Sequence, residues 1–410
     1  MLKFNQNMRY FFILGSNPSL SLAELALVFS NGRLSLIQKN IAILEIDYEI
    51  KADIIKKIGG VIKFGLIYDE ISSLAVQDIL KAIIFFKPEK IETKFRFGIS
   101  FYGKSKINLK ALGMEFKKLL KQSGLNSRWV ISREPVLSSV VVEQNKLLTD
   151  KGVEIVMIEF NKKLFLGRTL AVQPFKELSF RDYGRPARDD RSGMLPPKLA
   201  QIIINLALPP SPCQGEGRGE VILDPFCGSG TILTEAALLG FKNIIGADIS
   251  DKALKATKTN MAWIQANFQL STFNFQLFHS DATQISKCLP SNSVDAVITE
   301  PYLGPQRGLH DINKIIKELE KLYSESLREF FKILKLTGRI VMIWPVFQGK
   351  YQSNFINPKL NDFTIINSIP ASLQKNIFLK LTGRGTIIYG REGQKVWREI
   401  VILEKQKQRF

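Results

Sequence analysis

Cysteine and histidine are scarce in this chain. Among 410 residues there are three cysteines, Cys213, Cys227 and Cys288, and two histidines, His279 and His310. An odd trio of cysteines without CxxC spacing excludes a disulfide framework and leaves no obvious zinc or iron–sulfur ligand set. No metal is expected, and a reducing cytoplasm is the compartment that fits. Apolar runs are short as well. None approaches the roughly 18 residues needed to cross a bilayer. The opening MLKFNQNMRYFFILGSNPSL lacks the apolar length and small-residue cleavage site of a signal peptide. It reads as a strand and turn.

Acidic residues are outnumbered. Lys plus Arg total 57 against 38 Asp plus Glu, a formal charge of +19. The excess is concentrated. From Lys87 to Arg128 eleven basic residues face three glutamates, with Phe95, Phe97, Phe101, Tyr102 and Phe116 among them and Trp129 next in line. A basic stretch interleaved with aromatics suits a polyanion, nucleic acid before membrane. A merely solvated basic face is the plainer alternative.

Three segments precede a change of pattern. Residues 8–75 alternate short strands and helices in the manner of a small α+β sandwich. Ser21 and Glu24 have the spacing of a capping box at the first helix. Residues 76–172 hold a helix around VQDILKAIIFF and a strand, KFRFGISFYG. A second helix follows, with Leu109, Leu112, Phe116, Leu119 and Leu120 at helical spacing, and the segment ends in further strands. The polar stretch PFKELSFRDYGRPARDDRSGMLPP then reads as an irregular connection, and PPSPCQGEGRGE (209–220) as a loop. From 221 onward, continuous apolar strands alternate with helices. That is the mark of a mostly parallel sheet covered on both faces, with a closing antiparallel hairpin around GTIIYGREGQKVWREIVILE.

The chemistry should lie at the carboxyl ends of these strands. VILDPFCGSGT (221–231) is strand, glycine turn and helix. It lacks the Lys-Ser/Thr of a P-loop and the third glycine of a dinucleotide fingerprint. The next strand ends in Asp248, 18 positions after Gly230, where an acid commonly takes ribose hydroxyls. Ser250 is the better helix cap there. Asp281 closes the third strand and could take an adenine amino group or be an ordinary loop residue. The fourth strand, VDAVIT, runs into Glu300-Pro301-Tyr302. The proline holds Glu300 extended. A carboxylate there can orient a weakly nucleophilic exocyclic amine, and the neighbouring ring can stack on a flipped base.

Taken together, DPFCGSGT, the acidic strand end and the proline–tyrosine turn resemble the S-adenosylmethionine-dependent amino-methyltransferases. YFFILGSNPSLSLAEL, GLNSRWVISREPVLSSVVVEQNKL and RDYGRPARDDRSGMLPPKLAQIIINLA narrow the resemblance to the THUMP-domain tRNA (guanosine-10 N2)-methyltransferases. That resemblance covers most of the chain. It implies an α/β fold with a ferredoxin-like domain at 1–75, a THUMP RNA-binding domain at 76–172, a linker at 173–195 and a Rossmann-like methyltransferase domain at 196–410. It implies S-adenosyl-L-methionine as cofactor and tRNA as partner, with a methyl placed on a guanine N2. The runners-up are a ribosomal RNA guanine as substrate, or a catalytically silent tRNA-binding protein. Carried over residue by residue, Asp224, Phe226, Gly228 and Gly230 would hold the methionine end. Asp248 and Ile249 would meet the ribose side, and Asp281 and Ala282 the adenine. Glu300, Pro301 and Tyr302 would face the guanine. Lys104, Lys106, Lys110, Lys117, Lys118, Lys121 and Arg128 would track RNA phosphates. Arg181, Arg185, Arg188 and Arg191 either frame the entrance or pair with Asp182, Asp189 and Asp190. One departure stands out: the family has Asp-Pro-Pro-Tyr or an Asn in first place, whereas this chain has one proline fewer and a side chain one methylene longer.

Overall fold

The computed structural model describes residues 7–89, 93–188, 194–210, 218–270, 272–305, 311–349 and 352–406. Arg191, Asp189, Asp190, Cys213 and His310 fall outside them, as does most of the 209–220 stretch. The chain divides into two compact units. One comprises residues 1–18, 30–56 and 61–174, and the other residues 19–29, 57–60 and 175–410.

In chain order the first unit contributes β1 (Met8–Leu14), β2 (Arg33–Gln38), β3 (Ile41–Ile46), β4 (Val61–Ile71), β5 (Phe95–Tyr102), β6 (Ser127–Val130), β7 (Gly152–Phe160) and β8 (Lys163–Val172). Helix α1 (Pro18–Val28) lies almost wholly in the second unit, while α2 (Val76–Ile83), α3 (Leu109–Gln122) and α4 (Ser139–Gln144) belong to the first. The eight strands form one sheet in the order β2-β3-β1-β4-β8-β7-β5-β6. The sequence suggests a break near residue 75, but β4 pairs antiparallel with β8 from Lys63↔Val172 to Ile71↔Leu164. The two N-terminal segments therefore share a sheet. Local periodicity cannot show this, because the pairing joins strands about a hundred residues apart.

A second difference concerns the basic segment's aromatics. Phe95, Phe97, Phe101 and Phe116 are buried in the core, packed with Leu112, Leu120 and Ile155. Trp129 stacks on Phe97 at 6.3 Å and 3°. Phe95, Phe97, Phe101 and Phe116 are thus core residues of β5 and α3, and Tyr102 and Trp129 are partly buried beside them.

The second unit contains α5 (Phe175–Tyr183), α6 (Pro197–Ala207), β9 (Arg218–Asp224), α7 (Thr231–Leu238), β10 (Phe241–Asp248), α8 (Asp251–Asn267), β11 (Asn274–His279), β12 (Val294–Thr299), α9 (Ile312–Ile333), β13 (Leu334–Gln348), β14 (Ser353–Phe355), β15 (Phe363–Ile365), β16 (Ile387–Tyr389) and β17 (Val396–Lys405). Its sheet runs β11-β10-β9-β12-β13-β17-β15, with β14 on β13 and β16 on β17. Strands β9 to β13 are parallel, and β17 is antiparallel to β13. The core beneath it holds Val297, Phe330, Met342 and Trp344. The stretch read as an irregular connection carries α5, and the capping box does not form: Ser21 and Glu24 are buried inside α1.

Glu24 does something else. Its Oε1 accepts from Gly59 N at 2.9 Å and Asn205 Nδ2 at 2.7 Å, and its Oε2 from Gly60 N at 2.8 Å. Burial pushes its carboxyl up to about 7, against the pull of those three donors. The folded state therefore holds the proton more tightly than the unfolded chain. Stability should fall as pH rises from about 4.5 to 7, and Glu24→Gln should flatten part of that slope. Glu24→Ala strands the glycine N–H groups and should cost about 3 kcal/mol in urea unfolding; a loss below about 1 kcal/mol would refute the role.

Candidate functional site

From β9 the chain passes outward through β10 to β11, then returns to the other side of β9 as β12. That reversal opens a crevice at the carboxyl ends of β9 and β12. A cavity of about 1400 Å³ lies there. It is lined by Asp224, Phe226, Gly228, Asp248, Ile249, Asp281, Ala282, Glu300, Pro301 and Tyr302, among others. Of the proposed cofactor and catalytic residues, Gly230 is the one missing from the wall. It stands behind it.

The turn after β9 explains its glycines. Gly228 has φ +54° and Gly230 φ +83°, a region L side chains rarely enter. A Cβ on Gly230 would come within 2.9 Å of Thr257, whereas one on Gly228 would stand in open space. Gly230 thus permits packing against α8, and Gly228 leaves a bare backbone edge at the cavity. Asp248 fixes that edge by accepting from Gly228 N and Ser250 N, both at 2.9 Å. Ser250 caps α8, as its spacing suggested. Ile249 is 68% exposed. Asp281 accepts from Thr283 N and Thr283 Oγ1 at 2.8 Å, capping the short 3-10 turn Ala282–Lys287. Asp281 is thus a loop cap that also lines the cavity.

Asp224 and Glu300 sit side by side across the switch point. Thr299 Oγ1 donates to Asp224 Oδ1 at 2.7 Å, and Phe226 N donates to the same oxygen at 3.2 Å. Burial lifts the Asp224 carboxyl to about 7, with the charges of Asp248 and Glu300 adding to the rise. Burial also raises Glu300, and the Arg398 guanidinium opposes it. Arg398 Nε donates to Glu300 Oε1 at 2.5 Å. Tyr323 Oη, fully buried on α9, donates to Tyr302 O at 2.9 Å and so pins the turn while the Tyr302 ring stays 58% exposed. Neither Arg398 nor Tyr323 was legible as a site residue. The sequence gives no local signal, since each is brought in by a strand or helix remote in the chain.

With this geometry in place, similarity to known proteins can be weighed. Residues 185–348 match the family described as "RMKL-like, methyltransferase domain". That match covers less than half of the chain. A second family, described as "DNA methylase", matches residues 104–259. A tRNA (guanine(10)-N2)-dimethyltransferase of Methanothermobacter thermautotrophicus is 30% identical over 216 residues, covering 52% of this chain and 57% of that one. The Pyrococcus abyssi protein of the same name is 24% identical over 243 residues, covering 57% and 66%. A U6 snRNA (guanine-N(2))-methyltransferase of Bos taurus is 31% identical over 127 residues, 30% of this chain and 22% of that one. The matches to the two archaeal relatives thus span between about half and two thirds of their length. Among solved structures, TrmN from Thermus thermophilus superposes with a TM-score of 0.50 at 19% identity, covering 97% of this chain and 99% of that one. At that identity the likeness is one of fold. The resemblance read from the sequence to THUMP-type tRNA guanine-N2 methyltransferases thus has independent support, and the Rossmann-like fold is established.

The arginines that precede α6 divide. Arg181 does not pair with Asp182. It forms a buried bidentate pair with Glu235 on α7, at 2.7 and 3.1 Å. Arg185 is buried, donates to Thr231 Oγ1 at 2.5 Å and lies 3.8 Å from Asp182. Arg188 lines the cavity and donates to Asp182 O at 3.1 Å. Ordering the chain and framing the cavity thus fall to different members of the set. In the other unit, Lys104, Lys106, Lys110, Lys117, Lys118, Lys121 and Arg128 are all exposed, on and beside α3. Lys118 lies 3.9 Å from Glu115. Among the described residues no group of three or more His, Cys, Asp or Glu could hold a metal ion, and no helix is long and apolar enough to cross a membrane.

Proposed function

We propose that the chain transfers a methyl group from S-adenosyl-L-methionine to the exocyclic N2 amino group of a guanine in RNA, with position 10 of tRNA as the target. The observation that carries this reading is the Glu300 carboxylate, set at the switch point beside Asp224 with an exposed aromatic ring two residues on. The cavity suits the cofactor. The bare Gly228 edge leaves room for the methionine end, with Asp224 and Phe226 shaping that wall and Gly230 packed behind it. Asp248 offers acceptor lone pairs toward ribose hydroxyls, and Ile249 an exposed apolar face. Asp281 and Ala282 border the place for the adenine. When bound, the cofactor supplies an electrophilic methyl on a sulfonium sulfur.

The protein's own groups supply positioning. A guanine N2 is a poor nucleophile because its lone pair is delocalised into the ring. Glu300 accepts one of its N–H bonds and favours the pyramidal geometry of attack. Held along Asp224, Phe226, Gly228, Asp248 and Asp281, the cofactor would supply the methyl to this nitrogen, its sulfur keeping the electron pair of the bond that breaks. The amine has become acidic, so its proton passes to Glu300 and then to water. Tyr302 stacks on the extruded base. We assign the eight-stranded unit, in its THUMP-like part, to RNA binding through the lysines around α3, in the cytoplasm.

Methylation of unmodified tRNA transcripts, read by nucleoside mass spectrometry and mapping, tests the proposal. A single N2-methylated or N2,N2-dimethylated guanosine in tRNA supports it. The Bos taurus relative's name favours a second substrate class, so small nuclear and ribosomal RNA belong in the same assay. Failure to bind S-adenosylhomocysteine at all would leave a silent RNA-binding protein. RNA affinity should fall steeply with salt. Replacing Lys110, Lys117 and Lys121 with Ala should lower the slope of log affinity against log salt by about 2 to 3; an unchanged slope would place the RNA elsewhere.

A further inference from the structure

The shortened turn at Glu300 has a counterpart in the sheet. Strand β13 lies between β12 and β17, with Thr299 opposite Met342 and Arg398 opposite Pro345. Neighbouring strands are roughly 4.8 Å apart, so β12 and β17 are separated by about 10 Å. Only two long side chains can close that gap. Glu300 and Arg398 do so at 2.5 Å, with side chains 15% and 12% exposed. An aspartate at 300 would fall about 1.5 Å short and lose the bond. The extra methylene and the arginine therefore read as one device.

We infer that Arg398 is the positioning residue for Glu300: reaching across β13, its guanidinium fixes one carboxylate oxygen and keeps the group an anion aimed into the cavity, ready to receive an amine N–H. This rests on the proposed methyl transfer to an amine. Alternation along β17 supports the assignment. Arg398 turns to Glu300, while the next residue, Glu399, is fully buried and forms a bidentate pair with Arg384 at 2.8 and 2.5 Å. The Glu399–Arg384 pair and the Arg398–Glu300 pair thus come from successive residues of the strand. Glu300 Oε2 accepts no hydrogen bond from a described residue, which leaves it for substrate. Among the described residues, the other titratable groups that face Glu300 are Asp224 from β9 and Tyr323 from α9; burial raises both, and the charge of Glu300 adds to the rise. Neither can replace the cation. Burial already pushes Glu300 toward its neutral form, and Arg398 is what opposes that. A neutral carboxyl would present a donor where the amine needs an acceptor.

The test compares Arg398→Met, Arg398→Lys and Glu300→Gln. In Arg398→Met the acidic limb of the kcat–pH profile should move up by at least about one unit, so that activity drops roughly tenfold or more at pH 7 and recovers toward pH 9. Arg398→Lys should restore most of the wild-type profile. Affinity for S-adenosylhomocysteine should stay within about twofold, since the residue does not face the glycine turn. A carboxyl infrared band that disappears in Glu300→Gln should titrate higher in Arg398→Met than in wild type. A folded Arg398→Met protein whose band and pH profile are unmoved, or whose activity loss is the same at every pH, would overturn the inference. The infrared titration needs no RNA. If the wild type methylates no guanine, the functional reading fails while the band still decides whether Arg398 holds Glu300 as an anion.

Discussion

Glu300→Gln should lower the methylation rate at least about 100-fold while leaving RNA affinity and S-adenosylhomocysteine binding close to wild type. The substitution keeps the shape of the side chain and removes what the chemistry uses. A carboxylate offers acceptors at both ends, one for Arg398 Nε and one for the amine. An amide has one acceptor and one donor. Its NH2 end must point either at the guanidinium or at the amine, and both are donors. The amide also cannot take the proton released once the N–C bond forms. Single-turnover measurement with saturating RNA isolates this step from binding. Wild-type rates in the variant would remove Glu300 from the mechanism and make the turn a structural feature only. Glu300→Asp is the sharper companion: it keeps the charge, loses the reach to β17, and should fall between wild type and the glutamine variant.

Lys63→Met should destabilise the eight-stranded unit by about 3–5 kcal/mol, the largest structural effect expected for any single residue outside the cavity. Lys63 and Glu154 are 2% and 0% exposed. The ammonium of Lys63 donates to Glu154 Oε1 at 2.7 Å and to Leu137 O at 2.5 Å. Ser100 Oγ and Thr169 Oγ1 also donate to the carboxylate, each at 2.6 Å, and Leu137 N donates to Ser100 Oγ at 2.9 Å. Lys63, Glu154, Ser100 and Thr169 sit on β4, β7, β5 and β8, four adjacent strands, so one buried charge pair ties both N-terminal segments into a common sheet. Removing the cation leaves an uncompensated anion in the interior. Urea unfolding of the variant should show the loss directly. RNA affinity measured well below the new midpoint should be nearly unchanged, because the lysines around α3 do not touch the network. Replacing both partners, as Lys63→Met with Glu154→Leu, should recover part of the stability. Full stability in the single variant would show that the pair contributes nothing.

Much of the second unit was written in the sequence. Its strands are continuous apolar runs, Ser250 caps α8, and the glycine turn is confined by two positive φ angles that only a short list of residues accepts. The order of a doubly wound sheet then brings Asp224, Asp248, Asp281 and Glu300 to one edge with no further information needed. The basic run was legible as charge. Its aromatics were misread because a surface stacking ring and a core ring have the same composition, and only their burial tells them apart. The Ser21–Glu24 spacing misled for a similar reason: a capping box and a buried carboxylate inside a helix have the same letters. What tertiary structure alone decided is non-local pairing. Arg398 lies 98 residues from Glu300, Asn205 lies 181 from Glu24, and Glu154 lies 91 from Lys63. A sequence states which side chains can carry charge and which strands can be buried. It does not state which buried charge meets which, because that depends on strand order and register, and these are fixed only when the whole sheet closes over its core.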